Sequence, residues 1–260
     1  MKCSSTRIKV LSFVGLSALL LATVTQARTG EKSTLTPQEA AICGAATGRA
    51  TQVTAFRKLS AGAHLRVVVI GSSSTAGAGA SQPSLNYVSQ FTRQLQTEWS
   101  ARVEVFNRGV GGDTLRDIVG RAPRDVLALN PDVVVVQTGT NDVLQNVPVA
   151  DYARRLQSFV HDLQQKNIRV VLIDNQYLPD RVHSAEYLAI QGATHDVARL
   201  NHAPLVSRFA LSEQIQAQLH LTPQELLAAD GLHPNDVMHA CTARALTATL
   251  MSALGTASGV

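Results

Sequence analysis

The protein has 260 residues, a formal net charge of +4, 45% hydrophobic residues and only 4% aromatic residues. This length and hydrophobic content are sufficient for one globular domain with a sizeable core. No basic cluster is interleaved with aromatic residues, so the composition argues against nucleic-acid binding.

The first 27 residues have the form of a secretory signal peptide. Lys2, Arg7 and Lys9 precede an apolar run at 10–24, and small residues follow where signal peptidase cleaves. Removal of 1–27 leaves 20 basic against 19 acidic side chains, so most of the positive charge belongs to this segment. An uncleaved membrane anchor is the alternative, but the run is short for a membrane span. We therefore predict a secreted protein, periplasmic or extracellular, with no transmembrane segment after cleavage.

Residues 28–62 are predicted to form an N-terminal helical extension. Thr36 and Pro37 are typical of a helix start, and the helix that follows carries Cys43. After removal of the signal peptide, Cys43 and Cys241 remain, and such a pair in an exported protein predicts a disulfide. Two buried free thiols are the alternative.

From residue 65 onward, β-branched runs alternate with amphipathic segments. The predicted strands are 65–70, 103–106, 132–137, 168–173 and 205–206. The predicted helices are 84–99, 113–129 with Pro123 favouring an interruption, 149–166, 184–201 and 236–254. This alternation predicts right-handed βαβ units and a parallel sheet of about five strands, covered by helices on both faces.

Four polar loops are expected to meet at one edge of this sheet. Three of them follow predicted strands, at 71–77, 107–113 and 138–142, and the fourth, at 230–234, precedes the last helix. Because the carboxyl ends of parallel strands lie at the same edge of a sheet, functional groups collect there.

These loops contain the groups that ester hydrolysis requires, namely a nucleophile, a base, a carboxylate that orients the base, and donors for an oxyanion. Ser73, on a glycine-flanked turn, can supply the nucleophile, and His233 can supply the base. Asp230 can hold one imidazole nitrogen and leave the other for the serine. The N–H groups of Ser73 and Gly112 and the side-chain amide of Asn141 can donate to one oxygen.

The four loops together resemble the SGNH hydrolase superfamily, also called the GDSL esterase/lipase family. That family has a Gly-Asp-Ser-x-x-x-Gly-like nucleophile turn, a glycine block, a Gly-x-Asn-Asp block and an Asp-x-x-His block. They correspond in order to 71–77, 109–114, 139–142 and 230–233. The resemblance implies an SGNH hydrolase domain at 63–260, with a flavodoxin-like three-layer α/β/α sandwich and no metal or organic cofactor.

The resemblance also implies roles for individual residues. It implies Ser73, Asp230 and His233 as the catalytic residues, and Ser73, Gly112 and Asn141 as the oxyanion hole. The chain departs from the family at Ser72, which stands where the family has Asp. Three consecutive serines leave the nucleophile ambiguous from chemistry alone, and only the spacing of the family's turn selects Ser73. We interpret the missing carboxylate as a change in local hydrogen bonding, because it is not a member of the predicted triad.

The predicted function is hydrolysis of carboxylic esters through an acyl-enzyme on Ser73. The substrate would be a small-molecule, lipid or acylated-glycan ester. Acyl transfer to a sugar hydroxyl is the alternative among enzymes, and a non-catalytic ligand-binding module of the same fold is the alternative outside them. The loop 71–79 lacks the patterns of phosphate-binding loops, which argues against nucleotide binding.

Several residues outside these motifs also have expected roles. The remaining histidines show no metal-ligand pattern and are expected to be solvated or structural. Arg108 is expected to contact substrate or to form a structural ion pair, and Trp99 is expected to pack in the core. The loops 143–148 and 175–182 are expected to set the acyl length, with Tyr177 and Leu178 as wall residues.

Overall fold

The computed structural model describes residues 41, 43, 51–52, 56, 63–99 and 102–255. The predicted signal peptide at 1–27, and most of the predicted extension at 28–62, lie outside the described residues and stay predictions. Within the extension, Ala41 and Cys43 have helical conformation.

A six-stranded sheet forms the centre of the fold. Its strands are β1 (Thr51–Gln52), β2 (Leu65–Gly71), β3 (Val103–Gly109), β4 (Val133–Gln137), β5 (Arg169–Ile173) and β6 (Leu205–Val206). The spatial order is β1-β6-β5-β4-β2-β3, and β1 is antiparallel whereas the other five strands are parallel. The parallel strands follow the flavodoxin-like order. The predicted parallel sheet of about five strands is therefore confirmed, and β1 adds an edge strand that was not predicted.

The strands are apolar on both faces because each face contacts a separate core. In β2, Val67 and Val69 belong to one buried cluster, whereas Val68 and Ile70 belong to the other. The residues of β4 are all buried. A strand that is buried on both faces needs apolar side chains on both, which explains its nearly continuous run of valines.

Helices cover both faces of the sheet. They are α1 (Ser73–Ala76), α2 (Tyr87–Glu98), α3 (Leu115–Asp125), α4 (Thr140–Leu144), α5 (Val149–Gln165), α6 (Ala185–Leu200), α7 (Arg208–Leu219) and α8 (Asp236–Ala253). Three 3-10 turns occur at Pro83–Leu85, Leu127–Leu129 and Pro223–Leu226. Helices α2, α7 and α8 pack on one face, and α3, α5 and α6 pack on the other. This is the predicted three-layer α/β/α sandwich.

The predicted helices are present, with ends shifted by a few residues. The helix predicted from residue 84 begins at Tyr87, because the Asn86 side chain accepts hydrogen bonds from the N–H groups of Val88 and Ser89. The helix predicted at 113–129 ends at Asp125, two residues after Pro123, and a 3-10 turn follows it. None of the described helices is both long enough and apolar enough to span a membrane.

Cys43 and Cys241 form a disulfide, as predicted, with a Cα–Cα distance of 5.0 Å. The bond joins residues 198 positions apart. Both cysteines are 1% exposed and belong to the core cluster under α8. In the chain-entropy model, closing so long a loop stabilises the fold by up to about 5 kcal/mol.

Candidate active site

Ser73 is the first residue of α1, directly after β2. The helix lasts one turn, because Gly77 has a φ of 113°, a conformation that favours glycine. The Ser73 residue is half-buried, whereas Ser72 and Ser74 are only 4% and 3% exposed. Among the three consecutive serines, Ser73 is therefore the most accessible.

Asp230, His233 and Ser73 form one continuous hydrogen-bonded chain. Asp230 Oδ2 lies 2.6 Å from His233 Nδ1, and His233 Nε2 lies 2.9 Å from Ser73 Oγ. Gly231 has a φ of 66°, which turns the backbone so that the carboxylate reaches the imidazole three residues later. The structure thus brings together three side chains separated by as many as 160 positions.

The Asp230 carboxylate is held in its ionised form by its hydrogen bonds. The hydrogen bonds from the His233 side chain and backbone lower the pKa of Asp230 to about 2. Its Oδ1 accepts from the N–H groups of Leu232 and His233, both at 2.9 Å. A carboxylate can only accept, so the imidazole proton lies on Nδ1 and the Nε2 lone pair faces the serine hydroxyl.

The glycine block lies against Ser73, and each of the two loops has a backbone N–H without an acceptor. A Cβ placed on Gly111 would lie 4.0 Å from the Ser73 Cβ, so the two loops are close. Gly112 has a φ of 82°, and a Cβ added there would meet no atom within 4 Å. Within the described part of the chain, the N–H groups of Ser73 and Gly112 donate to no acceptor. Both groups are therefore free to bind an oxyanion.

Asn141 connects the third loop to the glycine block. Its side-chain nitrogen donates to the Asp113 carbonyl oxygen at 2.8 Å, which leaves its second N–H free. Gln145 donates to the Gly112 carbonyl oxygen at 3.0 Å. These two contacts hold Asn141 and Gln145 against the backbone of Gly112 and Asp113.

Arg121 fixes the glycine block to the end of β2. Its Nε donates to Asp113 at 2.6 Å, and its two terminal nitrogens donate to Asp125 at 3.0 Å and to the Gly71 carbonyl oxygen at 2.9 Å. The Arg121 side chain is 11% exposed. A single partly buried guanidinium therefore holds together two of the loops that carry the site.

Gln137 occupies the position next to the nucleophile turn where Ser72 replaces the family's carboxylate. Its Oε1 accepts from the Ser72 N–H at 3.0 Å, from the Ser72 hydroxyl at 3.2 Å and from the Thr75 hydroxyl at 2.9 Å. An amide oxygen at the end of β4 thus anchors the turn. No local pattern indicates this role, because Gln137 is the last residue of an apolar strand.

Gln176 and Gly79 connect the nucleophile turn to the loop that carries His233. Gln176 accepts from the Ser74 hydroxyl at 3.1 Å and donates to the Leu232 carbonyl oxygen at 2.5 Å. A Cβ on Gly79 would lie 2.8 Å from the His233 Cβ, so only glycine permits this approach. Sequence reasoning missed both residues, since neither belongs to a recognisable motif.

The structure also gives the positions of four other residues for which the sequence predicted roles. Arg108 donates to the Asn107 carbonyl oxygen and forms no ion pair with any described residue. Trp99 is 6% exposed and packs in the core, as expected. Leu178 is 4% exposed and belongs to a core cluster, and its role as a wall residue of the acyl pocket stays a prediction. Tyr177 packs on Phe209 with ring centroids 5.3 Å apart.

Two histidines outside the site, His239 and His195, contact structural partners. His239 is 1% exposed and contacts the Ala78 carbonyl oxygen through Nε2 at 3.1 Å. His195 lies 2.9 Å from a carboxylate oxygen of Asp174. Among the residues with described positions, no cluster of His, Cys, Asp or Glu could hold a metal ion.

Comparisons with known proteins identify the family of the chain. The sequence model of the non-GDSL lipase-like family matches residues 45–256. Thioesterase 1/protease 1/lysophospholipase L1 of Escherichia coli strain K12 is 25% identical over 173 residues, which cover 65% of this chain and 75% of that protein. An acetylxylan esterase of Geobacillus stearothermophilus is 26% identical over 159 residues, which cover 55% of this chain and 70% of that protein.

The fold has close structural neighbours as well. The crystal structure of a lipase/acylhydrolase from Enterococcus faecalis has a TM-score of 0.63 at 23% identity, covering 75% of this chain and all of that one. The predicted SGNH-type fold and the predicted class of ester hydrolase are therefore confirmed. The chain belongs to the non-GDSL lipase-like family and is an esterase- or lipase-like hydrolase.

Proposed function

We propose that the protein is a secreted serine esterase that cleaves carboxylic esters through an acyl-enzyme on Ser73. The observation that carries this proposal is the continuous chain from Asp230 through His233 to the Ser73 hydroxyl, with links of 2.6 and 2.9 Å. Each link has the length that proton transfer between nucleophile and base requires.

In the first half of the reaction, His233 Nε2 takes the proton of Ser73 as Oγ attacks the ester carbonyl carbon. The carbonyl oxygen becomes an oxyanion and accepts hydrogen bonds from the N–H groups of Ser73 and Gly112 and from the free N–H of Asn141. Removing one such donor typically costs about 3–4 kcal/mol in the transition state. When the tetrahedral intermediate collapses, the bond to the alcohol oxygen breaks and His233 gives its proton to that oxygen.

In the second half, water replaces the alcohol. His233 takes a proton from water, and the hydroxide oxygen attacks the acyl carbon on Ser73. The bond between that carbon and Oγ then breaks, Oγ recovers the proton from His233, and the carboxylic acid leaves. Asp230 stays ionised throughout and orients the imidazole, which is consistent with its pKa of about 2.

We propose an acylated glycan as the substrate class. The acetylxylan esterase of Geobacillus stearothermophilus supports this choice by its name. Export also supports it, because an enzyme outside the cytoplasm meets acylated polysaccharides. Secretion itself rests on the form of residues 1–27 and is compatible with the disulfide between Cys43 and Cys241.

The proposal is tested with the secreted protein, its Ser73→Ala variant and, as the matched control, Ser74→Ala. We expect Ser73→Ala to lower kcat/KM for p-nitrophenyl acetate by about 10⁴-fold or more. Ser74→Ala should lower it less than about tenfold, because the Ser74 hydroxyl bonds only Gln176 among the described side chains. A Ser73→Ala protein that retains a tenth of the activity would contradict the assignment of the nucleophile.

The substrate class and secretion have separate readouts. Acetate release from acetylated xylan, at a rate exceeding turnover of p-nitrophenyl palmitate, is the expected result for a glycan esterase. Turnover confined to long acyl chains would contradict it.

The mature protein in the periplasm or medium should begin at Arg28 by N-terminal sequencing, and an intact N-terminus there would contradict the signal peptide.

A further inference from the structure

A small cavity lies directly behind the loop that carries Asp230 and His233. Its walls come from α7, α8, the residues between them and the segment at 176–177, and they include Gln176, Arg208, Gln216, Leu226, Pro234 and Met238. Its volume of about 20 Å³ is enough for one water-sized group or a single small ion.

Arg208 places a buried charge at this cavity without using all of its donors. The residue is 3% exposed, and its Nε donates to the Asp174 carbonyl oxygen at 2.9 Å. Its two terminal nitrogens are buried and make no hydrogen bond to any described residue. Burial lowers the pKa of Arg208, but a guanidinium keeps its charge at neutral pH. A buried cation with idle donors is unfavourable unless an acceptor reaches it.

The Asp174 carboxylate attracts the Arg208 guanidinium but accepts no hydrogen bond from its terminal nitrogens. Asp174 is fully buried, and its oxygens accept from the Ser207 hydroxyl at 2.6 Å, from His195 at 2.9 Å and from the Arg208 backbone N–H at 2.7 Å. These bonds cap the start of α7. Within the described residues, no carboxylate forms an ion pair with the Arg208 guanidinium.

The fully buried side-chain atoms at this cavity that lack a described partner are all donors. Besides the two nitrogens of Arg208, the buried Nε2 of Gln216 donates to no described residue. The nearby hydroxyls of Ser212 and Thr242 already donate to backbone carbonyl oxygens in their own helices. A water molecule would bring two hydrogens of its own that need acceptors, whereas an anion only accepts. The chemistry therefore favours an anion over water.

We propose that this cavity binds one small monovalent anion of the halide class, held by the terminal nitrogens of Arg208 and by Nε2 of Gln216. The anion would also support the loop that bears His233. Pro234 forms part of the cavity wall, and Gln176, on another wall, donates to the Leu232 carbonyl oxygen at 2.5 Å. Occupancy of the site would thus stabilise the folded chain and this loop.

The test replaces methanesulfonate, which is too large for the cavity, by bromide at constant ionic strength. We expect a saturable rise in the Tm of the full chain, on the order of 5 °C once bromide greatly exceeds its Kd. Arg208→Met and Gln216→Leu should abolish or weaken this rise. Arg199→Gln, a change at an exposed arginine on α6, should leave it intact.

A second measurement does not depend on any variant folding. In crystals of the wild-type protein soaked in bromide, an anomalous peak should lie between Arg208 and Gln216. No saturable Tm response, an equal response in Gln216→Leu and wild type, or no anomalous peak at this position would overturn the proposal. These readouts do not use esterase activity, so they are independent of the function proposed for Ser73.

Discussion

Replacement of Gly79 by alanine perturbs the contact between the nucleophile loop and the loop that carries His233. Gly79 has a φ of 88°, and a Cβ there would lie 2.2 Å from the Pro234 carbonyl oxygen and 2.8 Å from the His233 Cβ. Because ordinary contacts begin near 3.4 Å, the backbone of Pro234 must retreat by about 1 Å to admit the methyl group.

The expected loss of activity follows from the distance between His233 and Ser73. Nε2 and Oγ are 2.9 Å apart, so a retreat of about 1 Å moves them beyond hydrogen-bond reach. A misplacement of that size costs about 10²-fold in rate. We therefore expect kcat/KM for p-nitrophenyl acetate to fall about 100-fold. The positive φ alone lowers the free energy of unfolding by about 1–2 kcal/mol.

Gly255→Ala is the matched control for the backbone cost. Gly255 has a φ of 73°, but a Cβ there meets no atom within 4 Å, and the residue lies beyond the end of α8. The free energy of unfolding of this variant, measured by urea unfolding, should also fall by about 1–2 kcal/mol, which is the cost of the positive φ alone. The kcat/KM of the variant should match that of the wild type. If Gly79→Ala stays within threefold of Gly255→Ala in kcat/KM, the reasoning from the clash is refuted.

Three further predictions concern single residues of the site and its surroundings. Asp230→Asn should lower kcat/KM by about 10³–10⁴-fold with little change in the urea midpoint, since the imidazole loses the acceptor that orients it; activity within tenfold of wild type would contradict this role. Arg121→Met should lower the free energy of unfolding by about 3 kcal/mol, because two carboxylates lose the guanidinium between them; an unchanged urea midpoint would contradict it. Burial lowers the pKa of His239 from 6.5 to about 4. Between these two pH values the unfolded chain binds a proton on His239 that the folded chain does not, so the free energy of unfolding falls as the pH falls. Between pH 7 and pH 4 the free energy of unfolding should fall by about 3 kcal/mol in the wild type and by less in His239→Gln, as measured by urea unfolding. An equal dependence on pH in the two proteins would contradict the role of His239.

The strands and most helices could be predicted because their signals are local. Valine runs and helical spacing of apolar residues depend only on which faces of an element are buried. Helix α7 carries no such signal, because Arg208 and Ser212 are buried on it beside Leu211 and Ile215. Ser207 caps its start locally, but the N–H of Arg208 donates to Asp174, 34 positions away, and no local pattern contains that contact.

The same distinction separates the predicted site residues from those that position them. Ser73, Asp230 and His233 lie in motifs of the family that the chain resembles, and the spacing within those motifs selected them. Gln137 and Gln176 carry out their roles through contacts with residues 65 and 102 positions away. Nothing in the neighbouring sequence distinguishes them from other polar residues, so only the folded arrangement identifies them.

Covalent labelling measures the identity of the nucleophile most directly. The protein is incubated with a serine-directed phosphonate, its intact mass is measured, and the modified peptide is sequenced by mass spectrometry. We predict a single adduct on Ser73 that is absent in Ser73→Ala and present in Ser74→Ala. An adduct on Ser72 or Ser74, or full esterase turnover by Ser73→Ala, would contradict the assignment of Ser73 as the nucleophile.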